Sequence, residues 1–342
     1  MVAICWMLSA SQLTLAADDE AREVTSAVNR ALTLLTQASA GSAEARTCFT
    51  CHSQAMPVLA MVEARQRGFA IDQETLNRQV RHTAEHLQRG RKDYLAGRGQ
   101  GGKSDTAGYA LWTLQLGDYH DRDTTSPVAA WLLDQQLESG QWKRSGDRPP
   151  SEASDFTTTY VALRAILAFA EPEPESAHRD RVARQVDRAR GWLINSSASD
   201  NEDRVFRLRS LHLVNASADR LSAAREELLA TQRCDGGWAQ TDSMDSDAYA
   251  TGTALSALCD TGALNVESQA CRNALRYLLE SQHEDGSWQV TSRSRPFQAY
   301  YETGFPHQRD QFISTSATAW AVLAILAATP QQVTHLDQTP AE

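Results

Sequence analysis

The chain has 342 residues, of which 42% are hydrophobic, and it carries a formal net charge of −10. That apolar fraction is enough to bury a full core, which excludes wholesale disorder. The acidic balance disfavours nucleic acid and anionic membrane surfaces as partners, because both need clustered lysine and arginine side chains.

The first predicted element is a short apolar stretch at residues 1–17, which ends in two alanines and is followed by acidic residues. It resembles the hydrophobic and cleavage regions of a secretory signal peptide, without the usual basic residues before them. A buried N-terminal helix is the alternative. The stretch is too short and too polar for a good membrane span, and we expect no later segment to span a bilayer. We therefore expect an exported, periplasmic protein, with a single domain at 18–330 and a polar C-terminal tail at 331–342.

The motif Cys48-Phe-Thr-Cys51-His52 comes next in the chain. Two thiols at this spacing can add to the two vinyl groups of a haem, and the histidine that follows supplies the proximal imidazole. Thioredoxin-like redox chemistry and zinc binding are the alternatives. The first calls for a βαβ context and the second for another ligand pair nearby, and the sequence offers neither. The motif therefore predicts one covalent c-type haem, with His52 as an iron ligand.

A helix predicted after the motif carries His82 and His86 in the pattern HxxEH, which is also an inverted zinc-protease pattern. Both histidines lie off the stripe that we expect to be buried, which consists of Leu76, Val80, Thr83 and Leu87. We therefore favour solvated histidines here. Met56 is a poor second iron ligand, because it follows His52 by four residues and shares its helix face.

Three later segments share a pattern in which Gln is followed by Gly four residues later and by Trp six residues later. They are Gln136-x3-Gly140-x-Trp142, Gln232-x3-Gly236-x-Trp238 and Gln282-x3-Gly286-x-Trp288. The last two tryptophans are 50 residues apart and the first two are 96 apart, so a degenerate repeat lies between them. Stepping back by about 48 residues at a time reaches two earlier repeats, the first at Cys48. The spacing predicts an all-α (α/α)6 toroid of six helix pairs, with all outer-to-inner loops on one rim.

The repeats resemble those of squalene–hopene cyclases and protein prenyltransferase β-subunits, which are α/α-toroids. The chain more closely resembles exported bacterial toroid proteins that carry CxxCH in the first repeat. This resemblance covers about residues 24–328 and is carried by residues 48–57, 148–156, 202–206 and 296–307. It does not imply cyclisation, because Asp245-Ser-Asp247-Ala248 matches the cyclase Asp-x-Asp-Asp only in part. The zinc set of the prenyltransferases lacks its cysteine here.

The loop after Trp288 is unusually long, with about 25 residues before the next inner helix, and insertions in repeat proteins often form the binding face. Ring closure would place this loop beside the CxxCH motif. We expect its aromatic side chains to cover the haem, namely Phe297, Tyr300, Tyr301 and Phe305. His307 is the first candidate for a distal iron ligand or a pocket acid–base group, and Met244 is the second. A structural loop with a solvated histidine is the alternative.

Other polar residues are expected on the same rim. Arg148 is a candidate for binding the haem propionates, and Glu302 and Asp247 join His307 as candidate catalytic residues. Asp105, Asp155, Asp245 and Asp247 stand where rim loops meet inner helices, so helix capping is their simpler explanation.

The sequence therefore predicts a periplasmic haem protein with a redox role, either electron transfer or oxidation of a small molecule at the mouth of the toroid. Its partner would be a redox protein or a small-molecule ligand. One alternative is a haem-based sensor or binding module without catalysis, and another is a haem-free toroid enzyme that handles terpenoids. Cys259 and Cys271 are close in sequence, and either a disulfide or buried thiols are open to them.

Overall fold

The computed structural model describes residues 2–170, 176–296 and 299–329, so Phe297 and the predicted tail at 331–342 lie outside it. Within these ranges the one β-type pairing is an isolated bridge between Arg148 and Glu152. The α-helices are Val2–Ala45 (α1), Met56–Gln66 (α2), Gln73–Arg89 (α3), Arg91–Leu95 (α4), Lys103–Leu116 (α5), Arg122–Asp134 (α6), Asp155–Phe169 (α7), Ser176–Asn195 (α8), Asn201–Leu213 (α9), Ala218–Leu229 (α10), Ala248–Asp260 (α11), Gln269–Glu280 (α12) and Gln311–Ala328 (α13). The predicted all-α fold is confirmed.

The helices form six antiparallel pairs arranged in a ring. Helices α2, α5, α7, α9, α11 and α13 form the inner ring, each in contact with the next, while α1, α3, α6, α8, α10 and α12 lie outside. The ring closes because α13 packs on α2 and α12 packs on α1. The structure therefore confirms the (α/α)6 toroid.

The inner helices bury more of their surface than the outer helices do. The inner helices α7, α11 and α13 are buried almost all round, whereas the outer helices α3 and α12 bury one face. The stripe predicted for α3 is buried as expected, at Leu76, Val80, Thr83 and Leu87. The described residues include one stretch that is long and apolar enough to cross a bilayer, Gln308–Ala328, and 78% of it is buried inside the protein. We did not expect a segment of that length, and its apolar character follows from its place in the inner ring.

The repeated Gln-x3-Gly-x-Trp motif joins each repeat to the next. The indole N–H of Trp142, Trp238 or Trp288 donates to a carbonyl ten residues earlier, over 2.7, 3.0 and 2.8 Å respectively. The Gln amide donates both to the glycine carbonyl of its own loop and to a carbonyl of the following outer helix. In the last repeat this second acceptor is the carbonyl of Ala27 on α1, at 2.9 Å. The sequence motif therefore also closes the ring.

Glycine is required in this motif where the loop meets the next outer helix. Gly286 has a φ of +90°, and a Cβ there would lie 2.6 Å from the Cβ of Arg30 on α1. The conformation disfavours side chains, and the contact leaves no room for one.

Aromatic side chains fill the centre of the barrel. Neighbouring rings form a continuous series through Trp112, Tyr160, Phe206 and Trp320, with centroid separations of 5.6, 5.4 and 6.2 Å. These four residues, which we call the aromatic plug, lie part-way along the inner helices, between the end of the barrel where those helices begin and the end where they finish. We call the first end the mouth and the second end the base.

At the mouth, Asp247 caps an inner helix as predicted, whereas Asp105 and Asp155 do not. The carboxylate of Asp247 does cap α11, accepting from the backbone N–H of Ala250 at 2.9 Å. Helix α7 is instead capped by Ser154, whose hydroxyl accepts from the N–H of Thr157. Asp105 lies inside the first turn of α5 and accepts from the backbone and hydroxyl of Ser145, at 2.9 and 2.8 Å. It therefore ties helix α5 to the loop that follows α6 rather than capping its own helix.

Candidate functional site

A cavity of about 270 Å³ opens at the mouth. Its walls come from three repeats: Cys51 and His52 from the first, residues 148–152 from the third, and the long loop with Phe312 from the sixth. The hydroxyl of Ser294 donates to the carbonyl of Pro149 at 2.9 Å, so the third and sixth loops touch across the opening. The structure thus brings the CxxCH motif and the long loop together on one rim, as the repeat pattern predicts.

The CxxCH motif leads directly into an inner helix. Residues Cys51–Ala55 form a π-helical turn that continues into α2, and Gln54 accepts from the N–H and hydroxyl of Thr50 at 2.8 and 2.7 Å. Cys48 is exposed and Cys51 is half-buried. The Cys51 thiol lies 3.9 Å from a carboxylate oxygen of Glu152. Burial raises the pKa of Cys51 to about 11, so this side chain is a protonated thiol at neutral pH.

His52 has an unpartnered nitrogen beside the cavity. Its ring packs on Phe312, with 4.9 Å between ring centroids, and its Nε2 is buried without a hydrogen-bond partner among the described residues. Burial, and then the nearby positive charge of Arg148, lower the pKa of His52 to about 4. The imidazole is therefore neutral at physiological pH, which is the form that binds metals.

Three arginines stand around the cavity. Arg148 pairs with the carboxylate of Glu152, while Arg295 and Arg309 are exposed at its edge. Sequence reasoning named Arg148 and missed the other two. The sequence could have indicated them, because Arg295 precedes and Arg309 follows the segment that was expected to cover the site. Together they favour a ligand that carries carboxylate groups.

The long loop lines the cavity with only part of the predicted aromatic set. Tyr300 is a lining residue, and its hydroxyl donates to the exposed carboxylate of Glu302. Tyr301 packs on Phe312 at 5.1 Å and under the guanidinium of Arg46 at 4.7 Å. Phe305 is buried away from the cavity, 3% exposed. Of the four aromatic candidates, Tyr300 and Tyr301 therefore lie at the site, and Phe305 is buried in the core.

His307 does not reach this cavity, contrary to the prediction of a distal ligand. Its Nε2 lies 2.7 Å from the hydroxyl of Ser287, and that hydroxyl donates to the carboxylate of Asp285 at 2.6 Å. Because the single proton of Ser287 is committed to Asp285, Nε2 of His307 acts as the donor and is not free to bind iron. Met244 is not among the lining residues either. His307 instead hydrogen-bonds within the rim, which was the structural alternative.

The half-buried Asp247 and the buried Glu202 lie at the N-termini of inner helices, and neither lines the mouth cavity. Asp247 accepts from the amide of Gln240 at 2.9 Å in addition to capping α11, so its observed role is structural. Glu202 accepts from the hydroxyls of Thr157 and Tyr249 at 2.8 and 3.4 Å through one oxygen, while the other oxygen has no partner among the described residues. Burial raises the pKa of Glu202 to about 8, so this carboxyl is neutral at physiological pH.

We expect Glu202→Gln to change how stability depends on pH. The folded protein keeps the proton of Glu202 up to about pH 8, whereas the unfolded chain releases it above its ordinary value of 4.5. Raising the pH between these values therefore favours unfolding of the unsubstituted protein, by up to about 1.4 kcal/mol per pH unit. The glutamine does not titrate, so the stability of the variant should fall less than that of the unsubstituted protein as the pH rises. Urea unfolding at about pH 5 and about pH 7.5 measures this difference.

The exposed Glu284 offers the matched control, and Glu284→Gln should follow the unsubstituted protein at both pH values. A difference between Glu202→Gln and the unsubstituted protein that stays constant with pH would contradict a neutral Glu202.

The family of the squalene-hopene cyclase C-terminal domain matches residues 182–339 of this chain. The solved structure of the type II terpene cyclase MstE from Scytonema, in its apo form, is similar with a TM-score of 0.57 at 16% identity, covering 91% of this chain and 99% of that one. A protein from Actinoplanes is similar with a TM-score of 0.57 at 16% identity, covering 90% of this chain and 100% of the other.

A glycosidase in complex with glucose is also similar, with a TM-score of 0.53 at 13% identity, covering 91% of this chain and 99% of the glycosidase. No curated protein sequence matches the chain. At these identities the likeness extends to the toroid fold, which hosts different chemistries in different proteins.

Proposed function

We propose that this α/α-toroid, whose C-terminal half matches the squalene-hopene cyclase family, carries a covalent c-type haem in its mouth cavity and has a redox role. The observation that carries the proposal is the buried, unpartnered Nε2 of the neutral His52, directly after the two cysteines of the motif. A buried nitrogen without a partner costs free energy, and a metal ligand bond would offset that cost.

The residues at the mouth fit this group. Cys48 and Cys51 would hold it through thioether bonds, and His52 would bind its iron. Phe312, Ile313 and Tyr300 offer apolar surface, and the arginines at the edge offer partners for propionates. When bound, a haem supplies one-electron redox chemistry.

The surrounding chain would keep His52 in place and limit the access of water to it. Phe312 packs against the imidazole, and burial with the charge of Arg148 keeps that ring unprotonated. The cavity also has an open side, with Arg295 and Arg309 exposed at its edge, where a small molecule or an acidic redox partner could approach. Export to the periplasm belongs to the same proposal, and residues 1–17 support it.

A haem-free function with a terpenoid ligand is the second candidate. The family match and the similarity to a terpene cyclase favour it over the first candidate, whereas the residues at the mouth favour haem. Glu202 is a buried carboxyl that holds a proton at neutral pH, the state required of an acid that protonates an alkene. Glu202 lies in the first turn of α9, so such a ligand would reach it from the mouth side.

A haem stain after denaturing electrophoresis separates the two candidates. We expect the protein, expressed with an export signal and a cytochrome c maturation system, to stain, and Cys48→Ala/Cys51→Ala to lose the stain. Cys234→Ala removes an exposed cysteine outside the motif and should keep it. An unstained protein would contradict the haem proposal and leave the terpenoid candidate. A stain that survives the double substitution would show that haem is not attached through the motif.

A further inference from the structure

A second cavity, of about 430 Å³, lies at the base of the barrel, on the other side of the aromatic plug. Every inner helix contributes to its wall, through residues that include Leu59, Trp112, Arg164, Arg209, Asp260 and Trp320. Its volume is within the range of small-molecule sites, and its lining combines apolar residues with an equal number of polar ones, four of which are charged. We call it the basal cavity.

Arg209 is held rigidly in this wall. Its side chain is 7% exposed, donates to Asp260 at 3.1 Å and to Ser256 at 2.6 Å, and stacks on the indole of Trp320 at 5.2 Å. Its Nε is buried and has no hydrogen-bond partner among the described residues. A fixed guanidinium with a free N–H is suited to bind one more oxygen atom.

Arg164 carries a charge that no acid of this cavity compensates. Its guanidinium stacks on Trp112 at 4.8 Å, and it forms no hydrogen bond or ion pair with any residue that the structure describes. Glu63 is paired with Arg67 at 3.1 Å, and Asp260 is paired with Arg209. The wall itself holds two arginines and two acids, but Glu63 is paired with an arginine outside the wall, so Arg164 is left without an acid partner.

The inner helices point their C-terminal ends towards the base, and their dipoles favour cations there. That effect helps to keep the arginines in place, but it gives no acceptor to the buried Nε of Arg164. Helix α7 continues to Phe169, more than one turn beyond Arg164, so its free carbonyls lie further along the axis.

We infer that the basal cavity binds a small organic acid. The carboxylate would pair with Arg164 and accept from the free Nε of Arg209, and the apolar part would lie against Trp112, Leu59 and Leu323. A carboxylate with an apolar chain satisfies both halves of the lining, whereas an inorganic anion satisfies only the charged half. The site does not involve the mouth cavity, so it does not depend on whether haem binds there.

Isothermal titration calorimetry on the full chain tests this inference with three probes: octanoate, 1-octanol and inorganic phosphate. We expect octanoate to bind with one molecule per chain. The other two probes should bind at least about tenfold more weakly, because octanol lacks the carboxylate and phosphate lacks the apolar chain. Equal binding of octanol would overturn the role of the arginines. Equal binding of phosphate would overturn the role of the apolar wall.

Substitutions locate the bound octanoate. Arg164→Gln should weaken its binding about tenfold or more, while Arg181→Gln, which removes an ion pair with Asp134 on the outer surface, should leave it unchanged. Leu323→Trp would fill the cavity and should also abolish binding, with thermal melts confirming that each variant is folded. Octanoate binding that survives both Arg164→Gln and Leu323→Trp, or no binding of octanoate to the unsubstituted protein, would overturn the inference.

Discussion

Replacing Trp288 with alanine should lower the free energy of unfolding by about 3–5 kcal/mol, as for other fully buried aromatic side chains. Trp288 is 1% exposed, and its indole N–H donates to the carbonyl of Leu278 at 2.8 Å. The substitution would leave a cavity in the repeat that closes the ring, and the carbonyl of Leu278 would keep only its longer hydrogen bond, from the hydroxyl of Ser281 at 3.3 Å. The same rim segment binds α1 through Gln282 and Gly286, so the loss would loosen the closure as well as the core.

Urea unfolding followed by circular dichroism measures this effect without relying on tryptophan fluorescence. Leu167→Ala is the control, because that side chain is 45% exposed on α7, and its cost should stay within about 0.5 kcal/mol. A cost for Trp288→Ala as small as that of Leu167→Ala would contradict the role of the indole as a link between helices.

Under the haem proposal, replacing His52 with glycine would remove a protein ligand from the iron, so the Soret band of the matured protein should shift. The two cysteines would remain available for attachment, so haem should still be present. Added imidazole should restore the original spectrum, because it would replace the missing side chain in the space beside Phe312.

The control for this experiment is His120→Gly, since His120 is exposed at the surface and remote from the motif in the sequence. Its spectrum should match that of the unsubstituted protein, with or without imidazole. An unchanged Soret band in His52→Gly would contradict the assignment of His52 as the iron ligand.

The fold was predictable because the toroid repeats the same helix pair, with the same contacts, around the ring. The spacing of Trp142, Trp238 and Trp288 reports the length of a helix pair, and each indole is bound by a carbonyl of its own repeat. Ring closure was also predictable, since Gln282 bonds to α1 in the way that the earlier glutamines bond to their following helices. These contacts are local or periodic, and periodic contacts leave a signature in the sequence.

The direction of single side chains at the rim was not predictable. The sequence placed His307 in the correct loop, but its orientation depends on Ser287 and Asp285, which lie about twenty residues earlier. In the same way, Tyr300 and Phe305 share a loop, yet one lines the cavity and the other is buried. Irregular loops carry no period that assigns a side chain to one face.

The basal cavity had a signal that sequence reasoning did not use. Arg164 and Arg209 are charged residues within inner helices that are otherwise largely buried. Arg209 is buried and Arg164 is half-buried, and charged side chains in such positions are rare unless they are paired or bind a ligand, so the two arginines mark the base of the barrel.

Intact mass distinguishes a chain that carries covalent haem from one that does not. The chain would be secreted together with a cytochrome c maturation system, purified, and measured by mass spectrometry under denaturing conditions. The haem proposal predicts a mass that exceeds the processed polypeptide by one haem, with oxidised and reduced absorption spectra typical of haem. A mass equal to the polypeptide alone, from a culture in which another c-type cytochrome is matured normally, would contradict it.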